Sequence, residues 1–306
     1  MMILRRVRGK RALVRCSRTL LALTLGLAAS ACTNDKRPSE ATDAAAAPQA
    51  MAISATEIAG TNTEGGRSIA ASYAKYYSAP QVQPLIADLE FLSKGGDADA
   101  SFMLSRIYDD CAVIPDAGSL AQLDIPQARK RAIERSGAWF KRRCEGMSTD
   151  VVAAIRNVKH YQALAVKQGN LAAQIEAAAP GLHRADQNLS IDDHKTFVEA
   201  VLTQDDGEAY MALAAMMGEG ASLRIEQMKP YKVGTAVEEA AWMLAGCRKG
   251  VPCDAQSPML NRLCRSGMCG YDSVEALYSN EVLAPEQMQR ARERADEIIA
   301  QSRTMK

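Results

Sequence analysis

The chain has 306 residues, 37 of them Lys or Arg and 36 Asp or Glu, for a formal net charge of +1. Seven of the cations fall within residues 1–31, which hold no acid, so the remainder carries −6. Such a balance beyond residue 31 provides no overall basic stripe for neutralising phosphates, which disfavours nucleic acid as a partner.

Arg5, Arg6, Arg8, Lys10, Arg11, Arg15 and Arg18 form a basic region, Leu20 to Leu27 a short apolar core, and Ala28-Ala29-Ser30-Ala31 a run of small residues. These are the three parts of a secretory leader. The apolar run falls well short of the about 20 residues that a membrane-spanning helix needs. Cys32 follows directly, and Ala29-Ser30-Ala31-Cys32 resembles the lipobox of bacterial lipoproteins, with Ala29 where Leu is more usual. The resemblance implies a lipoprotein signal peptide over 1–31 and a lipid on Cys32 as the first mature residue. It also implies retention at the outer membrane, facing the periplasm, because Thr33 stands where an Asp would favour the inner membrane. Plain secretion, with Cys32 a spare thiol, is the alternative. Arg5-Arg6 lacks the surroundings of a twin-arginine leader.

From Thr33 to about Pro80 the chain is rich in Ala, Ser, Thr, Gly and Pro and poor in large apolar groups. Such a segment cannot bury enough surface to offset its ordering entropy, so residues 32–80 are expected to be a lipidated, disordered tether. Within it, Ile69 to Tyr77 could form a short helix. Residues 81–306 are long enough for one sizeable core.

Cys16 lies in the leader and Cys32 is assigned to lipid, which leaves Cys111, Cys144, Cys247, Cys253, Cys264 and Cys269. An even number in an exported chain reads as a set of disulfides, with fifteen possible pairings that sequence alone does not separate. Short loops favour Cys247 with Cys253 and Cys264 with Cys269, leaving Cys111 with Cys144. The last four lack the tight paired spacing of zinc ribbons, and no Cys-x-x-Cys is present.

Beyond the tether, apolar residues recur at helical spacing and strand signals are scarce. Leu85, Leu89 and Leu92 make one run, broken by Gly95-Gly96-Asp97, and Phe102, Leu104, Ile107 and Tyr108 make the next. Helical spacing continues from Ile133 to Met217, and a charged last helix is expected from about Pro285 to Gln301. Two fragments align, Ala100-x3-Leu104-x3-Tyr108 and Ala209-x3-Leu213-x3-Met217, each with an Asp upstream (Asp97, Asp206) placed to cap the helix. Trp139-Phe140-Lys141 before Cys144 matches Trp242-Met243-Leu244 before Cys247. Ala163 to Gln174 joins the end of one helix type to the start of the other.

With these fragments the chain resembles the Sel-like branch of tetratricopeptide-like (TPR-like) repeats, over parts of residues 85–147, 161–180 and 205–250. Ser105 and Ala214 stand at the family's tight-packing Gly, and residues 112–132 and 181–204 are insertions by that standard. The helical spacing points to an all-α fold and the resemblance implies an α-solenoid of antiparallel helical hairpins, while the cysteines make Cys253 to Cys269 a disulfide-stapled C-terminal cap. The resemblance also implies a concave face for a protein partner.

No residue set announces chemistry. There is no Gly-x-Ser-x-Gly, His-Glu-x-x-His or glycine-rich phosphate loop, so no catalytic or cofactor-binding residue is assigned. His183, Asp186, Asp192, Asp193 and His194 lie close in sequence and could bind a metal, but read better as a polar inter-helix loop; His160 stands apart. Asp109-Asp110 and Asp205-Asp206 read as solvated helix ends, and Trp139 and Trp242 as hairpin core. The expected function is a non-catalytic protein–protein interaction module of the envelope. An immunity or inhibitor lipoprotein acting on a toxin or wall hydrolase, and an envelope enzyme, are the alternatives.

Overall fold

A computed structural model describes residues 69–112, 125–182 and 189–305. The expected leader over 1–31, Cys32, Thr33 and the segment to residue 68 lie outside the described residues, as do His183 and Asp186.

Among the described residues the fold is all-helical, with a single isolated bridge between Asp254 and Ser273 and no strand. The helices are α1 Ile69–Ser78, α2 Ile86–Lys94, α3 Ala98–Ala112, α4 Gln127–Arg143, α5 Val151–Gln168 and α6 Leu171–Ala178. They continue with α7 Ile191–Gln204, α8 Gly207–Met217, α9 Ala236–Arg248, α10 Pro258–Arg265, α11 Val274–Leu277 and α12 Pro285–Thr304.

Most helix starts are written in the local sequence. A short side-chain oxygen accepts from backbone N–H groups of the first turn, satisfying donors that the helix cannot. Asp150 does this for α5, Ser190 for α7, Asp206 for α8, Thr235 for α9, Ser257 for α10 and Ser273 for α11. Asp97 Oδ1 accepts from the Ala100 N–H at 2.9 Å, as its position predicts. Between α5 and α6 the chain turns on two residues. Gly169 ends α5 in the left-handed region (φ 94°), and Asn170 accepts from the Ala173 N–H to begin α6.

The packing is a succession of neighbours. α2 lies on α3, α3 on α5, α5 on α6, α6 on α8, α8 on α9 and α9 on α12, while α7 bridges α8 and α12. Trp242 in α9 is 1% exposed and packs at a tilt against Tyr210 of α8, with ring centroids 5.6 Å apart. The α8–α9 crossing is close because it is made by glycines. A Cβ on Gly246 would stand 2.6 Å from Met211 Cγ and 2.9 Å from the Gly207 carbonyl oxygen. At the far end, Arg294 of α12 donates to Glu238 of α9 at 3.1 Å, both buried.

Three disulfides staple this frame: Cys111–Cys144, Cys247–Cys253 and Cys264–Cys269. The last two are the pairs that short loops favoured, and the first is the pair those two leave. The first spans 33 residues and ties the end of α3 to the end of α4. On a chain-entropy account it contributes about 4 kcal/mol, and the two short ones about 2 kcal/mol each.

Three sequence expectations are corrected. The folded region begins before residue 81. α1 sends Tyr73 and Tyr76, 6% and 0% exposed, into the core, so 69–80 is part of the domain and not of a disordered tether. Two tyrosines in a segment otherwise rich in small residues outweigh its average composition. The helix beside α3 is α5, whereas α4, which carries Trp139, packs on α10. Trp139 is accordingly half-buried and not equivalent to Trp242. Residues 191–204, an insertion by the repeat standard, form α7 as the helical spacing of Phe197 and Val201 predicts, but His194, read in a polar loop, is buried in that helix.

Candidate functional site

Two polar regions stand out, one closed and one open. The closed region is where α1 and α10 meet the helix stack. Tyr76 Oη donates to Asp110 Oδ2 at 2.6 Å, and Arg262 Nη1 lies 3.2 Å from both Asp110 Oδ1 and Tyr76 Oη. Beside them Arg265 donates to Asp109, at 3.1 Å to Oδ2 and 2.9 Å to the carbonyl oxygen. Arg143 of α4, 3% exposed, donates to the carbonyl oxygens of Tyr76 (2.6 Å) and Ala79, with its guanidinium 4.7 Å from the Tyr76 ring centroid. Asp110 is therefore not part of a solvated helix end. It is 0% exposed because α10 folds back across more than 150 residues of chain to supply its counter-ion. Asp109 does stay partly open.

The same region continues along the first turns of α3, α6 and α8. Asn170 Nδ2 donates to Asp99 Oδ1 (2.8 Å) and lies 3.2 Å from Tyr73 Oη. Burial pushes Asp99 up to about 6, Asp206 to about 7 and Glu208 to about 6. Arg106 pairs with Glu176 and stands 3.9 Å from Glu208. Raised carboxyls can serve acid–base chemistry. Here they face α1 and one another inside the fold, where their partners are side chains that hold helices together.

The open region is a cleft between α4 and the cysteine-rich loops. Ala132, Arg135, Ser136, Trp139 and Arg142 line one wall; Gln256, Asn261, Met268, Gly270, Tyr271 and Asp272 line the other. α4 holds seven cations, Arg129, Lys130, Arg131, Arg135, Lys141, Arg142 and Arg143, against the single acid Glu134. Arg143 is spent on the closed region and Arg129 pairs with Glu281. Arg135 and Arg142 are exposed and pair with no described residue. Trp139 is fixed between them, edge-on to Phe140 at 4.9 Å and with the Arg143 guanidinium 5.2 Å from its ring centroid. The opposing wall is held by Cys264–Cys269 and by the Ser257 cap of α10. Arginines beside an aromatic on a rigid wall suit recognition of an anionic or planar group.

This cleft was not anticipated. Net charge averaged over the chain hid it, although seven cations within the seventeen residues 127–143 were the available signal. The histidines are not brought together. His194 sits in α7, fully buried, with burial and then Arg224 lowering it to about 4. His160 lies on α5, edge-on to Tyr161. Asp192 and Asp193 sit in the first turn of α7, where Asp193 accepts from Ser190 Oγ at 2.7 Å.

No family model, no curated protein and no solved structure matches the chain. Among the described residues no helix is long and apolar enough to cross a membrane.

Proposed function

We propose that this chain is an exported, lipid-anchored interaction module that binds a partner protein without catalysis, through the cleft between α4 and the cysteine-rich loops. The observation that carries this reading is the pair of guanidiniums of Arg135 and Arg142, exposed and without a partner among the described residues, flanking Trp139 on a disulfide-braced wall. Lipid on Cys32 and an address at the outer membrane accord with the leader and lipobox pattern. The pairings α3–α5 and α8–α9, each an Ala-x3-Leu helix packed on a following helix, accord with divergent Sel-like hairpins in a solenoid. In that scheme the partner does not use the starts of α3, α6 and α8, since α1 already covers them through Tyr73.

The test is a photo-crosslinking amino acid at Ala138, which lines the cleft, compared with one at Glu293, exposed on α12. In the cells that make the protein, a discrete adduct from Ala138 and none from Glu293 is expected. Equal labelling from both positions, or none from Ala138, would refute the reading. A globomycin-sensitive shift in mobility, abolished by Cys32→Ser, tests the anchor separately.

A further inference from the structure

The helical geometry of α4 allows the cleft's partner to be described chemically, and this step rests on the reading of the cleft as a binding surface. Arg135 and Arg142 are seven residues apart, which places them about 10 Å apart along the helix axis. One turn of polyproline II, three residues, covers about 9 Å and brings residue i+3 back to the face of residue i. Ala132 to Arg142, the length of the α4 wall, spans about 15 Å, enough for four or five extended residues. Between the two guanidiniums stands the indole of Trp139, and the facing wall supplies side-chain amides on Gln256 and Asn261. The Asn261 amide is largely engaged with the Ser257 and Ala255 carbonyls, so Gln256 is the freer of the two.

We propose that the cleft binds an acidic peptide segment in the polyproline-II conformation, whose carboxylates stand at positions i and i+3 on one face. One carboxylate meets Arg135 and the other Arg142, each able to form the paired N–H···O contacts that guanidinium offers. The two residues between them lie over Trp139. Asp272, exposed on the opposite rim, sets the direction of selectivity: it repels a third acid on that side and excludes a segment that is acidic throughout. A lipid bilayer is a flat anionic surface and has no means of entering a groove with a second wall. The charge complementarity is therefore to a chain.

The test uses the full chain and two synthetic fluorescein-labelled hexapeptides of equal charge, one with Glu at i and i+3 and the other with Glu at i and i+1. At about 20 mM salt, where screening is weak, fluorescence anisotropy is expected to give a Kd on the order of 10–100 µM for the first peptide. Affinity for the second is expected to be at least fivefold weaker. Arg135→Glu with Arg142→Glu lowers affinity for the first peptide at least tenfold, while the circular dichroism spectrum and melting temperature stay at the parent's values. Asp272→Asn tightens binding of a peptide with a third Glu. Equal binding of the two peptides, or no effect of the double variant, overturns the proposal. So does failure of either peptide to bind while vesicles containing phosphatidylglycerol shift the emission of Trp139. A partner crosslinked at Ala138 that lacks such a segment would leave the cleft's role intact and remove only this description of its ligand.

Discussion

The closed region around Asp110 and the open cleft on α4 are built from the same residue types and put to opposite uses. In both, arginines from α4 or α10 stand beside an aromatic ring. At Asp110 both acids of the pair meet arginines, Arg143 is taken up by backbone carbonyls, and the aromatic Tyr76 is buried with its hydroxyl donating. On α4, Arg135 and Arg142 have no counter-charge among the described residues, and Trp139 is only half-buried. A charge that is desolvated must be neutralised within the fold, whereas a charge left at a surface remains available to a partner. The difference separates residues that hold the chain together from those that can recognise something else.

The largest effect should come from breaking the closed region. Arg262→Ala leaves Asp110 buried and unpaired and should cost about 3–5 kcal/mol, read as a fall in the urea midpoint. Tyr76→Phe removes only one hydrogen bond to that carboxylate and should cost about 1–2 kcal/mol. If Arg262→Ala proved no worse than Tyr76→Phe, the pairing would not be what holds α10 against α3.

Next is the staple that spans both regions. Cys111→Ser with Cys144→Ser frees the end of α4 from α3 and should cost about 2–4 kcal/mol in thermal unfolding under oxidising conditions. Reductant should lower the parent's melting temperature by at least as much. The short Cys264–Cys269 loop should contribute less.

A smaller effect distinguishes the regions by pH. Asp206, held at about 7 by burial, binds a proton more tightly folded than unfolded, where its value is about 3.8. Its contribution is therefore fully present at low pH and lost as pH rises through 7. Moving from pH 8 to pH 6 should stabilise the fold by about 1 kcal/mol, or roughly 2–4 °C. Asp206→Asn preserves the cap of α8 and should abolish most of that pH dependence. His194 works in the opposite sense. Lowered to about 4, it costs stability only as pH falls below its unfolded value of 6.5.

The smallest stability effect belongs to the cleft: Arg135→Ala and Arg142→Ala should each change unfolding free energy by less than about 0.5 kcal/mol.

Much of the frame was legible in the sequence because it is made by local chemistry. Asp97 and Asp206 announce helix starts through one side-chain oxygen each, Gly169-Asn170 announces a turn, and short loops favoured two of the disulfide pairs that form and left the third. Contacts between distant residues were not legible. Nothing near Asp109-Asp110 indicates that Arg262 and Arg265 will return to them, so the pair looked like a solvated end. The Trp139 and Trp242 fragments look alike locally, yet α4 lies against α10 and α9 lies within the stack. The cleft needed both kinds of information. Its cations could be counted along α4, but their lack of partners depends on what the cysteine-rich loops bring opposite them.

The most direct test puts both regions on one pair of variants. Arg262→Ala and the double variant Arg135→Glu/Arg142→Glu are each measured for melting temperature and for crosslinking from Ala138. The account predicts that Arg262→Ala loses stability, and that the double variant keeps its melting temperature while losing the crosslinked partner. A double variant that melted lower yet still captured the partner would contradict it.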